Sequence, residues 1–299
     1  MFFTINYIKE VLDIPNMALE SLVKPSIAAK NIKTMFFIGF LYASIALFLS
    51  TWIFRSHASL VMVFLTVIAS IPFMYKTMKM EENYDVKLKK EFSILKEHFL
   101  VLKGLLALFI GYVLAYSFWF IVLPSGTVQT LFTTQLETIN VINNQISGAA
   151  VSSNSVFFQI LLNNMKVLLF CLFFSFFYGA GAIFILTWNA SVISAAIGTF
   201  VKEKLAALAL AVGIPSVFHY FQFFSLGILR YAIHGIPEIA AYFIGGLAGG
   251  IISVAMVNRH LEGSRFSIIM RDAFDLGLIA VIILIIAAFL EVYITPIFF

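Results

Sequence analysis

The sequence predicts an all-α, polytopic membrane protein with about seven transmembrane spans, the N-terminus inside and the C-terminus outside. Hydrophobic residues make up 62% of the 299 residues, charged residues only 11%, and the mean hydropathy is +1.01. A soluble domain usually carries about 25% charged residues, so lipid has to cover this much apolar surface. The third observation is the concentration of Lys and Arg in short segments on one side of the spans, which sets the orientation.

Residues 1–33 predict an N-terminal interfacial segment. Helical apolar spacing runs over residues 5–12, and Pro15 and Pro25 then interrupt it. Three acidic residues leave no continuous apolar core, which argues against a cleavable signal peptide. A short helix lying on the inner surface fits this pattern, and a flexible polar tail is the alternative.

Residues 34–123 predict a three-span part with spans at about 34–54, 58–75 and 104–123. Arg55 and His57 fall in a tight outer turn between the first two spans. The segment 76–103 carries seven Lys interleaved with five acidic residues, and its apolar residues recur every three or four positions. This pattern predicts a solvated or membrane-skimming helix on the inner side.

Residues 124–164 predict an outer polar, amphipathic region. The stretch contains no Lys or Arg and a single acid, Glu137, and its apolar residues follow a helical repeat. Part of it is expected to lie on the membrane, and the small polar residues at 147–155 indicate a linker.

Residues 165–299 predict a four-span part, with spans at about 165–188, 205–229, 233–257 and 273–295. The apolar stretch 189–201 is too short to cross a bilayer. It predicts either a re-entrant or interfacial hairpin on the inner side or an extension of a neighbouring span.

This threading places 16 of the 19 basic residues inside and leaves Arg55, Lys166 and Arg230 outside. An inverted topology would reverse that bias and is disfavoured. The net charge of +4 is explained by these short loops, so no nucleic-acid partner is predicted. The single cysteine, Cys171, excludes an internal disulfide.

The segment 234–257 places polar and small residues on one helical face. His234 and Glu238 are four residues apart, and Gly245 continues their face. Two overlapping small-residue pairs, Gly245–Gly249 and Gly246–Gly250, allow another helix to approach closely. A carboxylate at this depth is costly when it faces lipid, so the pair is expected to face the protein interior.

Two other predicted spans place polar side chains at a similar depth. Asn163 and Asn164 stand at the outer mouth of the fourth span, and His219 and Gln222 in the outer half of the fifth. With His234 and Glu238 they form a candidate cluster open to the outside.

The role of this candidate cluster is open between helix packing, a transport or ligand cavity, and a catalytic or metal site. His219, His234 and Glu238 would be a zinc-like ligand set, but the second His and the internal Glu of His-Glu-x-x-His are missing. No catalytic residues and no cofactor are predicted.

Three elements together resemble the stage II sporulation protein M family, also called the domain of unknown function 95 family, in an archaeal-type form. They are the paired Asn163-Asn164, the glycine-containing segment 178–198, and the His-Gly-x-x-Glu element that begins at His234 and leads into a small-residue helix. The resemblance covers roughly residues 155–295. Ala190 follows Asn189 where the family usually has glycine in an Asn-Gly turn.

The resemblance implies a non-catalytic role. In endospore-forming bacteria, family members anchor peptidoglycan-degrading partners in the membrane during engulfment. The first hypothesis is therefore an envelope scaffold or assembly factor in the cell membrane, with membrane lipids and an envelope protein as partners. The alternatives are a transporter or channel with a polar cavity open to the outer face, and a metal-dependent membrane hydrolase. The glycine pairs leave a dimer open.

Overall fold

The computed structural model describes residues 31–87, 91–147, 153–175, 180–257 and 264–299, and these residues are helical with short turns between them. Side chains are described over 31–72, 103–141, 153–175, 183–253, 267 and 269–299. Most of the predicted interfacial segment 1–33 lies outside these ranges. The helices are α1 Ile32–Ile53, α2 Ala58–Lys87, α3 Glu91–Val122, α4 Ser125–Ser147, α5 Ser153–Ser175, α6 Ala180–Val212, α7 Val217–Val257, α8 Ser264–Phe289 and α9 Thr295–Phe298, with a 3₁₀ turn at Arg55–His57 and a π-helix at Leu290–Ile294.

Seven of these helical segments are long and apolar enough to cross a membrane, which confirms the predicted fold class. They are Ile32–Ile53, Arg55–Pro72, Lys103–Val122, Ser153–Ser175, Ile183–Val212, Val217–Ser253 and Ile269–Phe298. The first three agree closely with the predicted spans, whereas the next three differ in their bounds.

The basic and acidic segment 76–103 is shared between two long helices. The backbone of α2 continues to Lys87, and that of α3 begins at Glu91. Lys and Glu are good helix formers, so neither helix has to end where it leaves the apolar layer. The helix predicted here is therefore an extension of two spans.

The three N-terminal spans pack through small residues and buried hydroxyl groups. A methyl group added at Gly39 of α1 would collide with the Leu108 carbonyl of α3. Between α2 and α3, the hydroxyl oxygens of Thr66 and Tyr116 lie 2.7 Å apart. These buried hydroxyl groups have partners in the facing helix, as the interior of a membrane protein requires.

The amphipathic helix α4 covers the end of the bundle at which α1 stops and α2 begins, which we call the Arg55 end. The chain kinks at Phe132, where φ is −122° and ψ is 18°. The Phe132 ring lies 4.9 Å from the Phe120 ring of α3, measured between centroids. Because Phe120 lies near the last residue of α3, this contact fixes α4 over the Arg55 end.

Gln135 ties α4 to two spans. Its fully buried side chain donates from Nε2 to the Ser59 carbonyl of α2 (3.2 Å) and to Ser191 Oγ of α6 (3.1 Å). Ser59 Oγ also lies 2.8 Å from Thr134 Oγ1. Polar side chains occupy the opposite, exposed face of α4, namely Gln129, Thr133, Glu137 and Asn140.

The predicted span 165–188 is wrong in its bounds. α5 begins at Ser153 and ends at Ser175, and α6 begins at Ala180. Polar side chains in the first half of α5, including Asn154 and Gln159, lower its hydropathy, so the sequence placed the start of the span too late.

The stretch 189–201 is the middle of α6, which excludes the predicted hairpin. Asn189 does not start a turn, because its Nδ2 donates to the Ile185 carbonyl one turn earlier (3.0 Å). Ala190, at the position where glycine was expected, is fully buried within the helix. The backbone therefore continues as helix through Asn189 and Ala190.

The predicted span 205–229 is wrong, since the chain turns back in the middle of it. α6 ends at Val212, Gly213 adopts a φ of +93°, and α7 begins at Val217. Residues 217–229 therefore belong to the same helix as the predicted sixth span. The apolar stretch is free of charge from Leu205 to Leu229, and hydropathy does not detect a turn within it.

This change moves two basic residues to the other end of the bundle. Lys202 Nζ lies 5.2 Å from the centroid of the Phe120 ring, so Lys202 and the neighbouring Lys204 lie at the Arg55 end and not with the inner segments. Among the basic residues that the structure describes, eight lie at the opposite end or on the helices that extend from it, so the charge bias still predicts that this end is cytoplasmic.

Candidate functional site

Polar side chains of α7 meet the C-terminal helix near the Arg55 end. His234 Nδ1 lies 3.3 Å from Thr295 Oγ1. One turn further along α7, Glu238 lies close enough to Glu291 for their carboxyl groups to interact electrostatically. The two segments are therefore antiparallel and in register, and we call His234, Glu238, Tyr242, Glu291 and Thr295 the polar junction.

Hydrogen bonds within the polar junction fix the direction of its donors. The Thr295 hydroxyl donates to the Leu290 carbonyl (3.0 Å), so its oxygen can only accept from His234. The Nδ1 atom of His234 therefore carries the hydrogen in this contact. The Tyr242 hydroxyl donates to Glu238 Oε1 (2.7 Å). The junction thus links α7 to the C-terminal segment and holds the Glu238 carboxyl group against its own helix.

Two prolines shape the backbone at the polar junction. Pro296 has no N–H and its ring crowds the preceding turn, and the chain widens into a π-helix at Leu290–Ile294 directly before it. Pro237 lies inside α7 and removes the N–H that would bond the Ile233 carbonyl. Both interruptions lie within one turn of a carboxyl group of the polar junction.

Glycines of α7 bring α5 against the polar junction. A methyl group added at Gly245 would collide with the Leu168 side chain, and one added at Gly249 with the Leu172 carbonyl. Gly246 and Gly250 are also buried. Cys171 is fully buried on the same face of α5 and lies near Tyr242.

Asn163 and Asn164 lie on different faces of α5. Asn163 is exposed, whereas Asn164 is buried one turn before Leu168, on the face that packs against α7. Only Asn164 therefore faces the part of α7 that carries the polar junction. At the start of α5, Asn154 Oδ1 accepts a hydrogen bond from the Tyr293 hydroxyl (2.7 Å), which ties α5 to the π-helix.

His219 and Gln222 lie apart from the polar junction. His219 is 15 residues before His234 on the same helix, which separates them by about 22 Å along its axis. Its Nδ1 accepts from the Ser216 backbone N–H (3.1 Å), so it caps the start of α7. Gln222 is exposed. The sequence placed both in a separate span beside His234, and the turn at Gly213 removes that alignment.

The three candidate metal ligands, His219, His234 and Glu238, do not lie together in the structure. Within the described ranges, no group of three His, Cys, Asp or Glu side chains lies close enough to hold a metal ion. His219 is too far from His234 and Glu238, and Glu291 and Thr295 take the positions beside them. The donor set does not fit a resident catalytic zinc, which needs three protein ligands.

Three members of the polar junction were not among the predicted site residues. Tyr242 follows Glu238 by four residues, a spacing that would have placed it on the same helical face. Glu291 and Thr295 are also four residues apart and mirror the spacing of His234 and Glu238. The shared four-residue spacing is visible in the sequence. It predicts a contact only when the two helices are known to be antiparallel neighbours.

Residues 99–296 match the family described as Stage II sporulation protein M. The chain belongs to this family. The match confirms the resemblance found in the sequence and extends it from about residue 155 back to the start of the third span. An uncharacterised protein of Methanocaldococcus jannaschii, MJ0793, is 31% identical over 142 residues, which are 46% of this chain and 70% of that protein. This archaeal relative agrees with an archaeal-type member. No solved structure matches the chain.

In this member of the stage II sporulation protein M family, the matched residues include α4, the α5–α7 contact and the polar junction. The His-Gly-x-x-Glu element supplies His234 and Glu238 of the junction, and the small-residue helix supplies the glycines that admit α5. Two of the elements that carried the resemblance, Asn164 and the small-residue helix, thus lie on the facing sides of α5 and α7.

Proposed function

We propose that this multi-pass membrane protein is a non-catalytic scaffold or assembly factor of the cell envelope, resident in the cell membrane. The observation that carries the proposal is the exposed polar face of α4, formed by Gln129, Thr133, Glu137 and Asn140. We propose this face as the docking surface for an envelope protein partner.

The anchoring of α4 supports this role. The buried side chain of Gln135 bonds two different spans, and the Phe132 and Phe120 rings are in contact. A docking helix held in one orientation loses little conformational freedom when a partner binds. An unanchored amphipathic helix would instead exchange between the membrane surface and water.

The polar junction also supports a structural role. His234 bonds Thr295 and Tyr242 bonds Glu238, so these groups use hydrogen-bonding capacity within the protein. Interhelical hydrogen bonds in membranes contribute about 0.6 kcal/mol each on average and act as packing contacts. The bond between His234 and Thr295 would hold the C-terminal segment against α7.

Site-specific photo-crosslinking in native membranes tests the scaffold proposal. A photo-reactive residue replaces Glu137 on the exposed face of α4, and the matched control replaces Phe170, which is exposed on α5 within a span. We expect one discrete protein adduct from position 137, the same adduct from position 129, and none from position 170. Absence of any protein adduct at both α4 positions, while a known envelope complex is captured by the same procedure, would overturn the proposal.

A transporter or channel is the second candidate, and the proximity of Glu238 and Glu291 favours it. Ionisable groups inside spans often mark proton or ion pathways. Cysteines placed singly at 234, 238 and 291, with Cys171 replaced by serine, would be tested against a membrane-impermeant thiol reagent. Modification at all three positions supports a water-filled pathway, and protection of all three rules it out.

A further inference from the structure

The connection between α6 and α7 lies beyond the Arg55 end of the bundle. Lys202 lies beside Phe120, close to the last residue of α3. The helix α6 continues for ten residues past Lys202, which is about 15 Å. On the return, a methyl group added at Gly227 would lie 3.2 Å from the Ile197 side chain, so α7 meets the bundle again there. We call residues 205–226 the tip hairpin.

The tip hairpin lies in water and not in the bilayer that the bundle crosses. The span α1 has 22 residues, a length of about 33 Å, which matches a hydrocarbon layer of about 30 Å. Because α1 ends at the Arg55 end, helix beyond that end projects past the membrane surface. Insertion into a second bilayer is disfavoured by the turn, since residues 213–216 are not helical and irregular backbone does not occur in contact with lipid.

The tip hairpin exposes a large uncharged surface to that water. Residues 205–229 contain no Asp, Glu, Lys or Arg, and Leu210, Ile214 and Phe218 are 91%, 99% and 71% exposed. Eight large apolar side chains of the tip hairpin are exposed. At about 60–120 Å² for an aliphatic side chain and about 150–250 Å² for an aromatic one, weighted by exposure, they present roughly 500–900 Å² of apolar surface. The largest apolar patch on a typical monomer is about 300–600 Å², so this surface indicates an interaction site.

The area and the composition of this surface fit a second copy of the chain. Each partner in a stable interface buries about 800 Å², which is within the range that the tip hairpin exposes. Interfaces with a separate, non-obligate partner are about as polar as the rest of a protein surface, whereas homodimer interfaces are more apolar. A second copy in the same membrane also has the same orientation, so its tip hairpin stands at the same height above the bilayer.

The two helices of the tip hairpin are complementary in size. Alanine occupies four of the seven positions 206–212 of α6, whereas residues 217–224 of α7 include five Phe and Tyr. When two hairpins stack face to face, a two-fold axis along the membrane normal places α6 of one copy opposite α7 of the other. Ala211 and Phe218 are both exposed and each lies one residue from the turn, so in the pair they lie at one height. Small residues allow the close approach that lets an aromatic ring pack against the facing helix.

We propose that the tip hairpin docks on the tip hairpin of a second copy in the same membrane, and that the two form a four-helix bundle above the bilayer. The glycines of α7 that left a dimer open in the sequence are not the surface used, because Gly245 and Gly249 meet α5 of the same chain. The tip hairpin is also separate from the polar face of α4, so pairing does not depend on a partner bound there.

Analytical ultracentrifugation of the full chain in detergent measures pairing as a monomer–dimer dissociation constant. We expect the wild type to form dimers, and the tip variant Leu210→Gln/Phe218→Gln to raise the dissociation constant at least about tenfold, since it removes two apolar anchors. The matched control Ile53→Gln/Phe54→Gln removes the same kinds of exposed side chain at the Arg55 end, outside the tip hairpin, and should leave the constant unchanged. The temperature at which the buried Cys171 thiol becomes reactive verifies that each variant is folded.

Crosslinking in reconstituted vesicles identifies the occupant of the tip hairpin. Ile214→Cys, combined with Cys171→Ser, should form covalent dimers with a short bifunctional maleimide, whereas Leu278→Cys on the exposed face of α8 should not. A wild type that stays monomeric at every concentration, or a folded tip variant with the wild-type dissociation constant, would overturn the proposal. Covalent dimers from position 278 and none from position 214 would place the dimer surface elsewhere and also overturn it. Aggregation of empty phosphatidylcholine vesicles by the wild type, lost in the tip variant, would assign the tip hairpin to a second bilayer instead.

Discussion

The contact between α5 and α7 gives a prediction whose size follows from the geometry. A methyl group added at Gly249 would collide with the Leu172 carbonyl and lie 3.0 Å from Ser175 Cβ. A backbone carbonyl cannot rotate away, so Gly249→Ala has to push the helices apart. Overpacking of this kind costs about 1–3 kcal/mol. Alanine also has a helix propensity about 1 kcal/mol more favourable than that of glycine, and this gain partly offsets the cost of the collision.

A second glycine of the same helix, Gly235, provides a control with the same gain in helix propensity. A methyl group at Gly235 would meet no atom within 4 Å, so Gly235→Ala gains the propensity and creates no collision. The difference in unfolding free energy between the two variants is therefore the collision itself, about 1–3 kcal/mol. For a chain of this size the melting temperatures should differ by about 2–12 °C.

The single cysteine provides the assay. Cys171 is fully buried on α5 beside the glycine contact, so a thiol-reactive fluorescent dye reports the temperature at which this contact opens. We expect Gly249→Ala to unfold well below Gly235→Ala. Gly277→Ala on α8 also meets no atom and serves as a second control. Equal midpoints for the Gly249 and Gly235 variants would refute the close approach of α5 and α7.

Three other predictions use the same dye assay in detergent. Tyr242→Phe removes the donor to Glu238 and should lower the free energy of unfolding by about 1–3 kcal/mol, and an unchanged midpoint would contradict that hydrogen bond. Thr66→Val and Tyr116→Phe should be non-additive, with a coupling energy of about 0.5–1.5 kcal/mol, whereas strict additivity would mean that the two hydroxyls do not interact. His219→Ala should cost no more than about 1 kcal/mol, since it removes a helix cap, and a larger loss would indicate a tertiary contact.

The bounds of α6 and α7 depend on a turn within an apolar stretch, which hydropathy does not detect. Averaged over a span-length window, residues 205–229 are apolar and uncharged, which is the signature of a transmembrane helix. The turn has its own local signal, since Gly213 is followed by Pro215 and by Ser216 at the start of α7. Glycine at a helix end, proline beyond it and serine at a helix start are typical of the place where one helix ends and the next begins. A prediction that used this signal would have ended one helix at Gly213. It would then have placed His219 and His234 far apart on the same following helix.

The polar residues show a different limit. The sequence placed His234 and Glu238 on one inward face because their spacing of four residues is a local property of a helix. It could not supply Glu291 and Thr295, which lie more than 50 residues further along the chain. Their contribution depends on the antiparallel register of the last two spans, and helices that are apolar almost everywhere carry little information about register.

The sequence by itself determined the membrane environment, the number of spans, the bias of charge between the two ends and the family. These follow from composition, from segment length and from local spacing, each of which acts on a residue without reference to distant ones. Only the tertiary structure decided which polar groups meet and that α4 is held in place through Gln135. Those contacts join residues far apart in the chain, and the choice among many apolar helix surfaces is made by close packing at glycines and by a few hydrogen bonds.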